Sequence, residues 1–275
     1  IDKDRTFFKN INTLPAGHAI RFEKGKIKIN KYFDVNDLHN CDNDIDFSFN
    51  SNVAYLDHLF KKSIKQHVIS DVPIGVLLSG GIDSTLIYRY ALKENSDLKV
   101  FTKISPEIEV IPSNLVPKIL KKFPTDPNYS FEKKESYLSE AANFVSHTAT
   151  PARWGGGPPM SNLCKLATSQ GTKVLLSGDG VDESCAGYDS HNFLFNDFSD
   201  DLFKLHSLLD LDRESQFFDK LKLDSFLQNR NDERKNTLNI LNDIKDKKEK
   251  FSRAILFQDV GTFLQLCNLP HSDAY

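Results

Sequence analysis

The chain has 275 residues, 39% of them hydrophobic, and a formal net charge of -3. That length suits one large domain or two smaller ones with a real core, and Lys and Arg spread along a near-neutral sequence give no surface for nucleic acid or membrane. No apolar run reaches membrane-span length, the first residues do not read as a charged-then-apolar signal, and Cys41, Cys164, Cys185 and Cys267 lack metal-ligand spacing. The eight histidines form no ligand pair either. The expectation is a soluble globular protein of the cytoplasm with reduced thiols. The sequence opens at Ile1 without Met and closes at Tyr275 without a helix-ending signal, so a fragment of a longer protein is expected.

In chain order, His18 to Phe22 and Ile27 to Tyr32 alternate about the turn Glu23-Lys24-Gly25-Lys26 and predict a hairpin within Thr6 to Asp34. Residues 35–52 are rich in Asp and Asn and read as a linker. Helical spacing starts near Val53 and places Leu56, Leu59, Phe60, Ile64 and Val68 on one apolar face. Gly75 to Leu78 is a short apolar run of the kind that forms a buried strand, and Thr85 to Leu92 continues as a helix packed back on it.

Between strand and helix lies Ser79-Gly80-Gly81-Ile82-Asp83-Ser84, read as a phosphate-gripping loop. Two glycines let backbone N–H groups approach an anion, two hydroxyls add donors, and the helix start contributes its dipole. A Walker loop would carry Lys here. Asp83 suits Mg²⁺ instead, in the usual arrangement of a carboxylate beside a phosphate-bound ion. The alternative is a Gly-Gly turn capped by Asp83 or Ser84 with no ligand.

Leu98 to Ile104 predicts a second strand, Leu115 to Phe123 a helix, Tyr129 to Phe131 a third strand and Glu135 to Val145 a helix. Thr150 to Pro159 reads as a loop, Met160 to Ser169 as a helix, and Lys173 to Leu176 as a clear later strand. Such alternation calls for a parallel sheet with flanking helices and ligands at the carboxyl ends of its strands. There stands Ser177-Gly178-Asp179-Gly180-Val181-Asp182-Glu183, with three carboxylates near a helix start. It reads as a site for Mg²⁺ or a substrate amino group, or, more plainly, as helix capping. From Asp189 to Arg253 the composition is helical without a motif, and Phe257 to Leu264 continues so before a loop at Leu269 to Asp273 that contains His271.

These two loops, with Ser70-Asp71-Val72-Pro73 ahead of the first and Gly187-Tyr188 behind the second, make the chain resemble the synthetase domain of glutamine-dependent asparagine synthetases, a branch of the PP-loop ATP pyrophosphatases. The resemblance covers nearly the whole chain, with Asp259 to Ser272 similar to the segment before the family's substrate-closing region. It implies an adenine nucleotide alpha hydrolase-like α/β fold. Residues 1–34 would be the end of an N-terminal glutaminase domain, 35–52 a linker, and 53–275 the ATP-binding domain, truncated at its C-terminus.

The implied reaction is adenylation of the aspartate side-chain carboxylate by ATP, then attack by glutamine-derived ammonia to give asparagine. Ser79, Gly80, Gly81 and Ser84 would grip pyrophosphate. Leu77, Lys103, Ser177 and Gly178 would hold the adenosine part, Asp83 and Asp182 the Mg²⁺, and Asp179 and Asp182 would be the catalytic carboxylates. Asp179 stands where the family usually has Glu, and Lys103 where it has an apolar residue. Ser184-Cys185-Ala186 replaces the usual Leu-Phe-Gly. The family's glutaminase Cys and the Lys that closes over ATP fall outside these residues, so no glutamine hydrolysis is expected of the chain as given. Partners are small molecules, with a homodimer allowed. Alternatives are amidation of another carboxylate in surface-polysaccharide or antibiotic synthesis, and an ATP-holding remnant without turnover.

Overall fold

The computed structural model describes residues 6, 8–40, 48–104, 115–122, 125–131, 137–149, 157–189, 191, 228, 232 and 235–261. They fall in two compact units, one drawn from 1–43 and 180–268 and the other from 44–179 and 269–275. The first unit opens with the expected hairpin, β1 (His18–Glu23) against β2 (Lys26–Lys31), antiparallel, with Ile20 opposite Ile29 and Phe22 opposite Ile27. Lys24 and Gly25 turn it with φ of 49° and 76°, the two positive angles that a hairpin of native twist demands. Of the expected linker, residues 35–40 and 48–52 are among those described. Val35–Asn40 forms a 3-10 helix, begun where Asp34 accepts from the Asn36 amide at 3.0 Å.

The second unit begins with α1 (Phe49–His67), which starts four residues before Val53 because Ser48 caps it, accepting from the Ser51 amide at 3.3 Å. Only part of its expected apolar face is covered. Ile64 is buried with Phe60 and Val68 packed beside it, while Leu56 and Leu59 are exposed. There follow β3 (Ile74–Leu77), α2 (Ile82–Glu94), β4 (Lys99–Ile104), α3 (Leu115–Leu120), β5 (Pro127–Phe131), α4 (Tyr137–Thr148), α5 (Gly157–Ser169) and β6 (Val174–Leu176). Each expected strand of the α/β body is present. Phe123, 135–136 and 150–156 of the predicted segments lie outside the described residues. Helix α5 opens earlier than expected, since Pro158 and Pro159 sit in its first turn, where no backbone donor is needed.

The sheet is parallel throughout, in the order β5-β4-β3-β6. Its two faces are covered separately. Ile74, Val76, Leu78 and Val100 pack with Ile87, Tyr88 and Ala91 of α2, Val116 and Leu120 of α3, and Ile64 of α1. On the other face Phe101 meets Leu163 and Ala167 of α5. Gly75 is forced by that second layer, because a Cβ there would lie 2.6 Å from Phe101 Cε2 and 3.0 Å from Leu175 Cδ2. Successive strands run outward from β3 through β4 to β5, and the chain then returns to place β6 on β3's other side. That reversal makes β3 and β6 the switch point, where open parallel sheets leave a crevice at their carboxyl ends.

Back in the first unit, α6 (Val181–Cys185) is a short helix between left-handed residues, Gly180 at φ 97° and Ala186 at φ 62°. Residues 235–240 are helical, and α7 (Lys247–Gln258) is capped by Asp246, which accepts from the Glu249 amide at 2.7 Å. Most of the segment read as helical from Asp189 to Arg253, residues 262–264, and the loop with His271 lie outside the described residues.

Candidate active site at the sheet switch point

The loop after β3 is organised by Ser84. Its Oγ accepts from the Ser79 amide at 3.2 Å, lies 2.9 Å from Ser79 Oγ and donates to the Gly81 carbonyl at 3.4 Å. Ser79 Oγ also accepts from the Gly81 amide at 3.3 Å. Gly80 turns the chain at φ 89°, an angle that costs a residue with a Cβ. Gly81 then caps α2 without a side-chain bond, so the amides of Ile82 and Asp83 open a helix whose first turn has no internal acceptors for them. Thr85 closes the turn from behind, its Oγ1 donating to Gly81 O at 2.6 Å.

The loop leaves the sheet at a pinned point. Leu78 donates its amide to Phe101 O at 2.9 Å and accepts at its carbonyl from Thr102 Oγ1 at 2.6 Å. Leu78 and Thr102 are each 1% exposed. Thr102 escaped the sequence reading, although a hydroxyl inside an apolar strand needs a partner and thereby signals itself.

The loop after β6 meets the first. A Cβ added to Gly178 would sit 3.5 Å from Asp83 Cβ and 3.7 Å from the Ser84 amide nitrogen, ordinary van der Waals distances that show the two turns lie side by side. Ser177 Oγ donates to Asp179 Oδ2 at 2.9 Å and accepts from the Asp179 amide at 3.4 Å. Of the sequence-predicted residues, Ser79, Gly80, Gly81, Asp83, Ser84, Ser177, Gly178 and Asp179 therefore gather at the switch point. Leu77 ends β3, half-buried, and Lys103 stands near the end of β4 with its side chain exposed and Ser130 opposite it.

Asp182 and Glu183 belong to the first unit. Asp182 lies against Gly187, where an added Cβ would come 1.8 Å from Asp182 Oδ1. Glu183 is 1% exposed and accepts from Tyr188 Oη at 2.7 Å. The Tyr188 amide donates to His191 Nδ1 at 3.3 Å, and His191 Nε2 lies 2.7 Å from Asp259 Oδ2. An amide can only donate, so Nδ1 is the acceptor and the ring proton sits on Nε2, facing Asp259. The sequence reading gave Glu183, with Asp179 and Asp182, to a Mg²⁺ or amino-group site or to helix capping; in the fold it is buried and bonded to Tyr188. Among the described residues no group of three His, Cys, Asp or Glu side chains is placed to hold a metal. No described helix is long and apolar enough to cross a membrane.

A four-stranded parallel sheet between helical layers, with two glycine-bearing loops facing each other across its switch point, defines an open α/β protein. The family model described as asparagine synthase matches residues 55–272, and the chain belongs to that family. It is 27% identical over 151 residues to the glutamine-hydrolyzing asparagine synthetase of Zea mays, covering 50% of this chain and 25% of that protein. It is 35% identical over 80 residues to glutamine-hydrolyzing asparagine synthetase 3 of Bacillus subtilis, covering 29% and 12%. To amidase chyE of Penicillium rubens it is 25% identical over 208 residues, covering 68% and 30%. The chain thus spans less than a third of the length of each relative. Among solved structures, NH3-dependent NAD synthetase from Campylobacter jejuni has a TM-score of 0.35 at 14% identity, covering 78% of this chain and 96% of that one.

Proposed function

We propose that this chain is the ATP-using part of an amide-forming ligase. The acceptor's carboxylate oxygen attacks the α-phosphorus of ATP, the α–β bridging P–O bond breaks, and pyrophosphate leaves. Ammonia, drawn from glutamine in the whole protein, then attacks the acyl carbon. The nitrogen gives up a proton and AMP departs with the C–O bond electrons. Membership of the asparagine synthase family supports the aspartate side chain as the first candidate acceptor and the cytoplasm as the setting.

The observation that carries the reading is the approach of Gly178 to Asp83 and Ser84, because it joins two glycine turns around one gap at a helix start. Ser79, Gly80, Gly81 and Ser84 hold the departing pyrophosphate, with fixed hydroxyl and amide donors that need no reorganisation as its charge develops. The helix start adds its positive dipole end. Leu77, Lys103, Ser177 and Gly178 line the nucleoside, and Asp179 orients the acyl group or ammonia. Mg²⁺ fits this donor set, since it ordinarily takes one or two carboxylates and completes its shell with water and phosphate oxygens; Asp83, half-buried in the first turn of α2, supplies such an oxygen. Bound there, the ion neutralises phosphate charge.

A second reading keeps the chemistry and changes the acceptor. Asp179 is a methylene shorter than the Glu usual in the family, and its carboxylate is held back by Ser177 at 2.9 Å; a shift near 1 Å at a reacting centre matters. The deciding experiment gives the intact protein ATP, Mg²⁺, ammonia and a panel of carboxylic acids. AMP and pyrophosphate in equal amounts with aspartate support the first reading, and the same with another acid alone supports the second. ATP binding without turnover on any acid overturns both.

A further inference from the structure

In a regular parallel ladder each strand carbonyl is met by a backbone amide of its neighbour. At the exit of β3 that rule is broken. The register pairs Leu77 with Phe101, and the next carbonyl, Leu78 O, is met instead by a side chain, Thr102 Oγ1, at 2.6 Å. Both residues are 1% exposed, so no solvent competes for that acceptor. The following peptide carries the Ser79 amide, whose partner is Ser84 Oγ at 3.2 Å, and Ser84 is the hub on which the loop closes.

We infer that Thr102 is a positioning residue for the phosphate loop: by fixing the Leu78 carbonyl it sets the plane of the 78–79 peptide and so aims the Ser79 amide and hydroxyl at Ser84. The inference rests on the nucleotide reading above and deepens it. Removing the hydroxyl while keeping the shape leaves a buried carbonyl without a donor, a state that groups escape by rotating or by admitting water. Rotation at this peptide displaces the loop's first donor, and small misplacements at a reacting site are costly. Of the nucleoside-facing positions, Leu77 and the β6 loop do not depend on that peptide, and Lys103 is held in the β4 ladder opposite Ser130.

The test is calorimetric binding of three probes, MgATP, Mg-pyrophosphate and adenosine, to the chain and to T102V, T102A and T102S, with folding checked by circular dichroism. Expected for T102V is an affinity about tenfold weaker for MgATP and Mg-pyrophosphate, with adenosine binding within about twofold of the parent. T102S keeps the hydroxyl and should restore phosphate binding; should T102V fail to fold, T102A is read in its place. A general structural role would weaken adenosine and MgATP alike, and that result overturns the inference. So does T102V binding MgATP as the parent does, or T102S falling with T102V. A parent chain that binds none of the probes overturns the nucleotide reading itself and takes this inference with it.

Discussion

Replacing Ser84 with Ala removes one oxygen on which the loop depends at three points: the Ser79 amide at 3.2 Å, Ser79 Oγ at 2.9 Å and the Gly81 carbonyl at 3.4 Å. Each hydrogen bond is worth roughly 0.5–1.5 kcal/mol net. Ser84 is 6% exposed, but Ser79 faces solvent and can rehydrate once released, so the expected loss of stability is about 1–2 kcal/mol. A comparable effect falls on ligand binding, because the donors are no longer held in place. A tenfold loss of MgATP affinity equals about 1.4 kcal/mol. Denaturant unfolding with and without MgATP separates the two. At a ligand concentration 100 times the parent's Kd, the parent gains about 2.7 kcal/mol, whereas a variant binding tenfold more weakly gains about 1.4 kcal/mol. Equal ligand-induced gains in parent and variant would show that Ser84 does not shape a phosphate site.

Gly75→Ala should cost about 1–3 kcal/mol, since the new methyl would lie 2.6 Å from the Phe101 ring and overpack the sheet face under α5; an unchanged unfolding midpoint contradicts that packing. Asp57 on α1 accepts from Lys61 and from Tyr90 Oη of α2, and these bonds, that from Lys61 foremost, hold its carboxyl below the usual range. A depressed carboxyl stabilises the fold above its unfolded pKa, about 3.9, and loses that contribution as pH falls through the folded value. The stability gap between the parent and Asp57→Asn should therefore close below about pH 4, and a gap constant from pH 6 into acid refutes the link. Burial pushes the Cys164 thiol up, whereas Cys185 is exposed. Peptide mapping after timed alkylation at neutral pH should find Cys185 modified well before Cys164, and the reverse order would contradict the burial.

The strands were legible because Gly75-Val76-Leu77-Leu78 and Lys173-Val174-Leu175-Leu176 are apolar runs too short for helices. The Ser79 to Ser84 loop was legible because adjacent glycines between strand and helix have few other uses. Strand order was not, since nothing local says that β6 returns to β3's free side; only that return puts Gly178 against Asp83. Pro158-Pro159 read as loop because proline breaks helix interiors, yet the first turn of α5 tolerates both. The spacing of Leu56 and Leu59 marked an apolar face without showing how much of it a neighbour covers. The bonds made by Glu183 and Thr102 were not legible for one shared reason: their partners, Tyr188 and Leu78 O, are set by chain folding and not by spacing.

The central claim, adenylation of a carboxylate at this loop, is tested most directly by isotope transfer. The intact protein is given ATP, Mg²⁺, ammonia and the accepted acid labelled with ¹⁸O in its carboxylate, and the phosphate products are read by mass spectrometry. Attack at the α-phosphorus places one ¹⁸O in AMP and none in pyrophosphate. Label in inorganic phosphate, with ADP as the nucleotide product, would mean attack at the γ-phosphorus and would contradict the account.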